Sequence, residues 1–250
     1  MADWNDPRAT RQGFGAAPSQ TGDLAGRATF DAGLRRHMLS IYNYMASGVL
    51  LTGVVALLFA NSGMAAQVFL TGGILAWVIM LSPLAIVITM SFGQGKFSTA
   101  TLQAMFWGFA VLMGLSLSTV FLVYTGQSIA ATFFATAGAF AGLSLFGYTT
   151  QKDLSGFGTF LIMGVVGLLI ASVINMFVGS APLSYAISFL GVLIFAGLTA
   201  YDTQMLKRQY DYVAGTEFAG KAIVMGALNL YLDFINMFLF LLRFMGSQRS

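Results

Sequence analysis

Cysteine is absent from the chain, and histidine occurs once, at His37. The first absence excludes disulfides and thiolate chemistry. The second leaves no partners for a histidine-based metal site, and no histidine within a span to serve a serine nucleophile. Charge is nearly as scarce. Only 8% of residues are Asp, Glu, Lys or Arg, whereas a soluble domain carries about a quarter. The catalytic patterns G-x-S-x-G and H-E-x-x-H and the phosphate-binding P-loop are missing too, so no enzyme is expected. The net charge of +3 is spread along the chain rather than clustered, so no nucleic-acid partner is expected.

What is present is apolar. Hydrophobic residues make up 57% of the chain and the mean hydropathy is +0.79. These values describe an integral membrane protein surrounded by lipid. The apolar runs are long and unbroken rather than short and alternating, which selects helices over a barrel. Seven runs lie near residues 39–61, 65–92, 100–124, 128–149, 156–178, 183–206 and 222–244. Each is about the 20 residues needed to cross ~30 Å of hydrocarbon. The expected fold is an all-α bundle of seven membrane helices over residues 34–250, with Pro83 kinking the second. Residues 1–33 are polar and rich in Gly, Ala, Pro and Thr. They read as a disordered cytoplasmic tail, not a signal peptide, with a short helix from Asp31 to His37 leading into the membrane. His37 itself reads as a solvated residue beside Arg35 and Arg36. Intramembrane glycines such as Gly48, Gly53, Gly114, Gly164 and Gly167 read as sites of close helix packing.

The ionisable residues carry the functional reading. Most acids lie in the tail or in loops, but Asp202 and Asp233 fall within the sixth and seventh runs. A carboxylate at the centre of a membrane helix costs about 3 kcal/mol even on lenient insertion scales. Asp233 lies between Asn229 and Asn236, at spacings of four and three that put all three on one helix face. Asp202 follows Tyr201 near the basic end of its run. Adjacent antiparallel helices let the two carboxylates meet. Two carboxylates in a low dielectric cannot both stay ionised cheaply, so the pair is expected to share a proton or bind a cation. Calcium prefers six to eight oxygens, so two carboxylates imply weak, transient binding. The Tyr201–Asp202 pair resembles half of the intramembrane aspartyl protease pattern, but the other half reads "LYLD" rather than G-x-G-D.

Three segments, "GALNLYLDFINMFLFLLR" (226–243), "AYDTQ" (200–204) and "QKDLS" (151–155), closely resemble the Bax inhibitor family (transmembrane Bax inhibitor motif proteins). The resemblance spans about residues 35 to 245 and places the chain among the bacterial members. It implies six helices around a central seventh. It also implies a calcium-permeable leak channel that senses pH through the aspartate pair, here Asp202 and Asp233, with Asn229, Asn236 and Tyr201 as polar support. No cofactor is implied; calcium is the permeant ion. In bacterial relatives an arginine near the end of the second helix bonds to the pair. Alignment on Gly114 puts Lys96 there, a candidate latch without the two-pronged grip of arginine. Some bacterial relatives resemble modulators of membrane-bound ATP-dependent (AAA) proteases, and eukaryotic ones suppress cell death. A stress-protective interaction protein without ion flux is therefore the alternative.

Lys and Arg also set an expected topology. Arg35, Arg36, Lys96, Lys152, Lys207, Arg208 and Lys221 all fall at one set of run ends, while the loops around Asn61, Gly126 and Gly179 carry no charge. The positive-inside rule then makes the N-terminus cytoplasmic, in what reads as a bacterial inner membrane. Arg243 and Arg249 lie against the rule, which leaves two readings of the last run. It crosses fully, the preferred reading, or it dips in and returns. Because the chain has no native cysteine, single introduced cysteines report the side directly. One near residue 212 is expected to be protected from a membrane-impermeant label in intact cells, and one after Ser247 to be labelled. Labelling at 212 from outside would contradict the topology.

Overall fold

Backbone N–H and C=O groups in hydrocarbon must be paired within the chain, and a helix does this locally. The computed structural model describes residues 20–249. Among them lie eight helices: α1 (Gln20–Asn61), α2 (Met64–Thr71), α3 (Ile74–Gly93), α4 (Thr99–Val123), α5 (Gly126–Thr149), α6 (Ser155–Val178), α7 (Ala181–Val213) and α8 (Phe218–Met245). All but α2 are long and apolar enough to cross a membrane, giving the seven expected spans. Ser98, Thr125 and Ser180 cap the starts of α4, α5 and α7 by accepting backbone N–H bonds, which satisfies donors the helix itself leaves over.

The last helix is the axis of the bundle. In its apolar stretch 61% of residues are buried, against 11% in α6. It packs on α1, α4, α5 and α7, while α3 leans on α4 from outside and α6 on α7. The core around it is aromatic: Phe106, Phe109 and Tyr231 meet edge to face, as do Phe133, Phe140 and Phe234.

Three boundaries differ from the reading of the sequence. Helix α1 starts at Gln20, so helix extends through much of the segment read as a disordered tail; residues 1–19 lie outside the described residues. The second run is two helices rather than one kinked at Pro83. It breaks at Gly72, whose φ of 66° is a left-handed turn that glycine adopts without a Cβ clash. Pro83 stays inside α3, buried against its neighbours. Helix α7 runs on to Val213, so Lys207 and Arg208 sit on helix rather than in a loop. At the other end of the bundle, the residues after α8 pair with the α4–α5 connection. Thr125 donates to the Ser247 carbonyl (3.1 Å) and Arg249 to that of Val123 (2.9 Å). The last helix therefore crosses completely and ends beside the uncharged loops.

The glycines divide by environment. A Cβ at Gly48 would strike Phe106, at Gly114 the Thr52 carbonyl and Val55, and at Gly164 Ile194. Gly53 and Gly167 meet nothing within 4 Å, so the packing reading does not hold for these two. The tightest approach to the backbone of another helix is at Gly147 on α5, where a Cβ would fall on the Ala200 carbonyl of α7. Gly147→Ala is expected to lower stability by about 1–3 kcal/mol through forced separation of α5 and α7. Gly167→Ala is expected to be neutral or slightly stabilising, since alanine is the better helix former. Thermal unfolding in detergent checks this, and an unchanged Tm for Gly147→Ala would contradict the close approach.

Candidate functional site

The site lies where α7 meets α8. Asp233 is 5% exposed, Asp202 is half-buried, and their carboxyl groups are within hydrogen-bonding reach of each other. Neither has an ion-pair partner among the described residues. Asp233 Oδ2 is buried with no hydrogen-bond partner there. A bond between two carboxyl groups requires that one of them carry the proton, so the geometry suits a pair holding one proton and one negative charge.

The neighbouring residues act at the ends of this contact. Tyr201 lays its ring over Gly158 of α6, with its hydroxyl 3.5 Å from the Met205 sulfur. Asn236 donates to the Leu232 carbonyl of its own helix (2.8 Å), so its polarity is satisfied without reaching the pair. Asn229 lines a cleft of about 530 Å³ between α3, α7 and α8, together with Ser91, Gln94, Arg208 and Gln209. This cleft lies at the basic end, and Asn229 is one helical turn from Asp233. Lys96 is not at the pair. It occupies the exposed turn between α3 and α4, with no ion-pair partner among the described residues. His37, read as solvated, is instead 4% exposed, its ring 5.2 Å from that of Tyr210 on α7. Among the described residues no cluster of three or more His, Cys, Asp or Glu is assembled for a metal ion.

Two sets of residues escaped the sequence reading. The first joins the segments 151–155 and 200–204 into one unit. Gln204 accepts from Leu154 N–H (2.9 Å) and donates to the Lys152 carbonyl (2.8 Å). Lys207 donates to the Tyr148 carbonyl at the end of α5 (2.9 Å), where a cation suits the helix dipole. Arg208 binds Asp153 and Ser155, both at 2.9 Å. The Ser155 N–H, the Ser155 hydroxyl and Arg208 hold the Asp153 carboxyl down to about 2, so it stays ionised at any cellular pH. This clamp fixes the α5–α6 connection to α7, two to six residues beyond Asp202. The pairing of two polar pentapeptides was its signal in the sequence.

The second set lies on the opposite face of α8. Thr52 of α1 donates to the Ala110 carbonyl of α4 (2.8 Å) and lies 2.7 Å from the Tyr231 hydroxyl. The threonine proton is already committed to Ala110, so Tyr231 must be the donor to Thr52. Tyr231 and Asp233 are two residues apart, about 200° around the helix. One turn of α8 thus ties α1 and α4 on one side and α7 on the other.

The family profile described as "Inhibitor of apoptosis-promoting Bax1" matches residues 34–250. An uncharacterized protein of Rickettsia prowazekii is 47% identical over 224 residues, covering 89% of this chain and 94% of the relative. The inner membrane protein YbhL of Escherichia coli K12 is 43% identical over 220 residues, covering 87% and 94%. An uncharacterized membrane protein of Streptococcus pyogenes is 34% identical over 218 residues, covering 86% and 94%.

The direction of the Tyr231 bond yields an asymmetric expectation. Thr52→Val strands a buried hydroxyl and should cost about 1–3 kcal/mol. Tyr231→Phe leaves Thr52 bonded to Ala110 and should cost no more than about 1.5 kcal/mol. The double variant should recover much of the Thr52→Val loss. Unfolding of the four proteins in detergent checks the cycle, and a larger loss for Tyr231→Phe than for Thr52→Val would contradict the assignment.

Proposed function

The chain belongs to the Bax inhibitor family, and from that premise we propose that it is a pH-sensitive cation leak channel, with calcium as the permeant ion and Asp202 and Asp233 as the gate. The observation that carries this reading is the carboxyl pair itself, facing across the α7–α8 contact deep in the span. The polar cleft adds to it, because it stops at Asn229, one turn short of Asp233. Met205, Leu206 and Met225 form the apolar wall of the cleft, and the turn of α8 between Asn229 and Asp233 is the closed part of the pathway. The positive-inside rule puts the cleft on the cytoplasmic side. The printed name of the Escherichia coli relative favours a bacterial inner membrane. No catalysis is proposed.

The sign of the pH response follows from the geometry. In the closed state the pair shares one proton and its bond holds α7 to α8. Loss of that proton leaves two like charges close together in a low dielectric, and their repulsion separates the helices. The closed state therefore binds more protons than the open one, so closure is favoured at low pH and opening as pH rises. Lys96 stands apart from the pair in this conformation, so the pair and the α7 clamp hold the gate.

Calcium flux into liposomes containing the purified protein tests the proposal. Wild-type flux should rise with pH. Asp202→Asn and Asp233→Asn should each flatten the response, the double variant should add little, and Lys96→Ala should keep the wild-type profile. A full response in both single variants would reject the pair as sensor. No flux at any pH, with a cellular phenotype still lost in Asp233→Asn, would favour the protease-modulator reading instead.

A further inference from the structure

A second feature lies on the far side of α8 from the polar cleft. Helices α1 and α5 both pack on α8, yet they barely touch each other. Between them runs a groove of about 680 Å³, open sideways to the lipid, with Phe234 of α8 as its floor. Its α1 wall is Met38, Tyr42, Met45 and Val49, spaced four, three and four residues apart. Its α5 wall is Phe133, Ala137, Phe140 and Ser144, spaced the same way. Each wall is therefore one helix face. Such stripes on neighbouring helices ordinarily interlock. Here Ala46, Ala137 and Ala141 leave the space open. From Arg35 to Leu50 the groove extends about 22 Å at 1.5 Å per residue.

The chemistry is ordered along that length. At the basic end Arg35 lines the mouth beside Tyr148, and Lys207 lies over the Tyr148 ring, its Nζ 4.9 Å from the centroid. One turn inward is Ser144, 5% exposed, its hydroxyl without a hydrogen-bond partner among the described residues. A serine on a helix usually bonds back to the carbonyl four residues earlier; this one does not. Beyond it the walls are apolar. A purely apolar groove stays dry and needs an apolar occupant. This one has one cation at the mouth, a second behind Tyr148, and an idle hydroxyl one turn in.

We propose that the α1–α5 groove is a binding site for one anionic phospholipid from the leaflet on the basic side. The phosphate meets Arg35, with Lys207 behind Tyr148 adding positive charge nearby, an ester carbonyl accepts from the Ser144 hydroxyl, and one acyl chain lies along Met45, Val49, Phe133 and Phe140 over Phe234. Ordinary boundary lipid would show neither head-group selectivity nor a preference for this groove. The site is independent of ion conduction, so it stands or falls separately from the leak reading.

The test is retention of defined lipids. The full chain is reconstituted with equal phosphatidylglycerol and phosphatidylcholine, extracted in mild detergent, and analysed by native mass spectrometry. One phosphatidylglycerol per chain is expected, with at least fivefold preference over phosphatidylcholine. Arg35→Gln should abolish the preference, and Ala46→Phe, at a lipid-exposed position on the groove wall, should displace the lipid. Ser144→Ala should weaken retention while keeping the preference. Lys152→Gln, a cation at the same end but outside the groove, should change nothing. Equal retention of both lipids would overturn the proposal. So would phosphatidylglycerol binding that survives Ala46→Phe in protein whose thermal unfolding is unchanged.

Discussion

A carboxylate cannot face lipid, and much of this bundle's architecture follows from burying one. Asp233 sits in the middle of a helix that is otherwise apolar. Its cost in hydrocarbon falls only if it is enclosed by protein and given a partner. That requirement places α8 at the axis and α7 against it with Asp202 at the same level. The aromatic shell of Phe106, Phe109, Phe133 and Phe140 closes around the same helix. Tyr231 adds a second anchor to α1 and α4 through Thr52. The helix carrying the least lipid-compatible residue is thereby the best held.

The partner carboxylate is positioned from outside the membrane core. Helix α7 continues past the apolar region to Val213. On that extension Gln204, Lys207 and Arg208 fasten the α5–α6 connection and the end of α5. Gly147 lets the Ala200 carbonyl approach α5 closely, two residues before Asp202. The depth of Asp202 is therefore set by short, specific contacts on both sides. The α3 side of the pair is looser, since the cleft lined by Ser91 and Gln94 separates α3 from α7 and α8. Rigidity on one side and space on the other is what the proposed gate at this contact requires.

Much of this was legible in the sequence. Apolar run lengths yield the seven spans, and two acids inside runs mark the pair, because ionisable residues in spans are rare and must find partners. The full crossing of α8 was the preferred of two readings, and the pairing of Ser247 and Arg249 with the α4–α5 connection agrees with it. Other features were less visible for physical reasons. Tyr231 and Thr52 are common residues in membrane helices, and only their meeting across 179 positions makes them special. Hydropathy averaging runs across Gly72, because a single left-handed turn between two apolar segments barely changes composition. His37 follows two arginines in the chain, which suggests water, yet the helix turns it inward onto Tyr210. Lys96 was placed by alignment with an arginine pattern, and sequence position does not say where a turn points its side chain.

The central claim is that Asp202 and Asp233 hold one proton between them when the bundle is closed. Infrared difference spectroscopy of the reconstituted protein observes this directly, through the C=O stretch of a protonated carboxyl group that exchanges with deuterium. At a pH where flux is shut, wild type should show one such buried band. The band should vanish as pH rises through the range in which flux appears, and Asp233→Asn should remove it. A closed state with no protonated carboxyl band, or a band unchanged by substitution of either aspartate, would contradict the account.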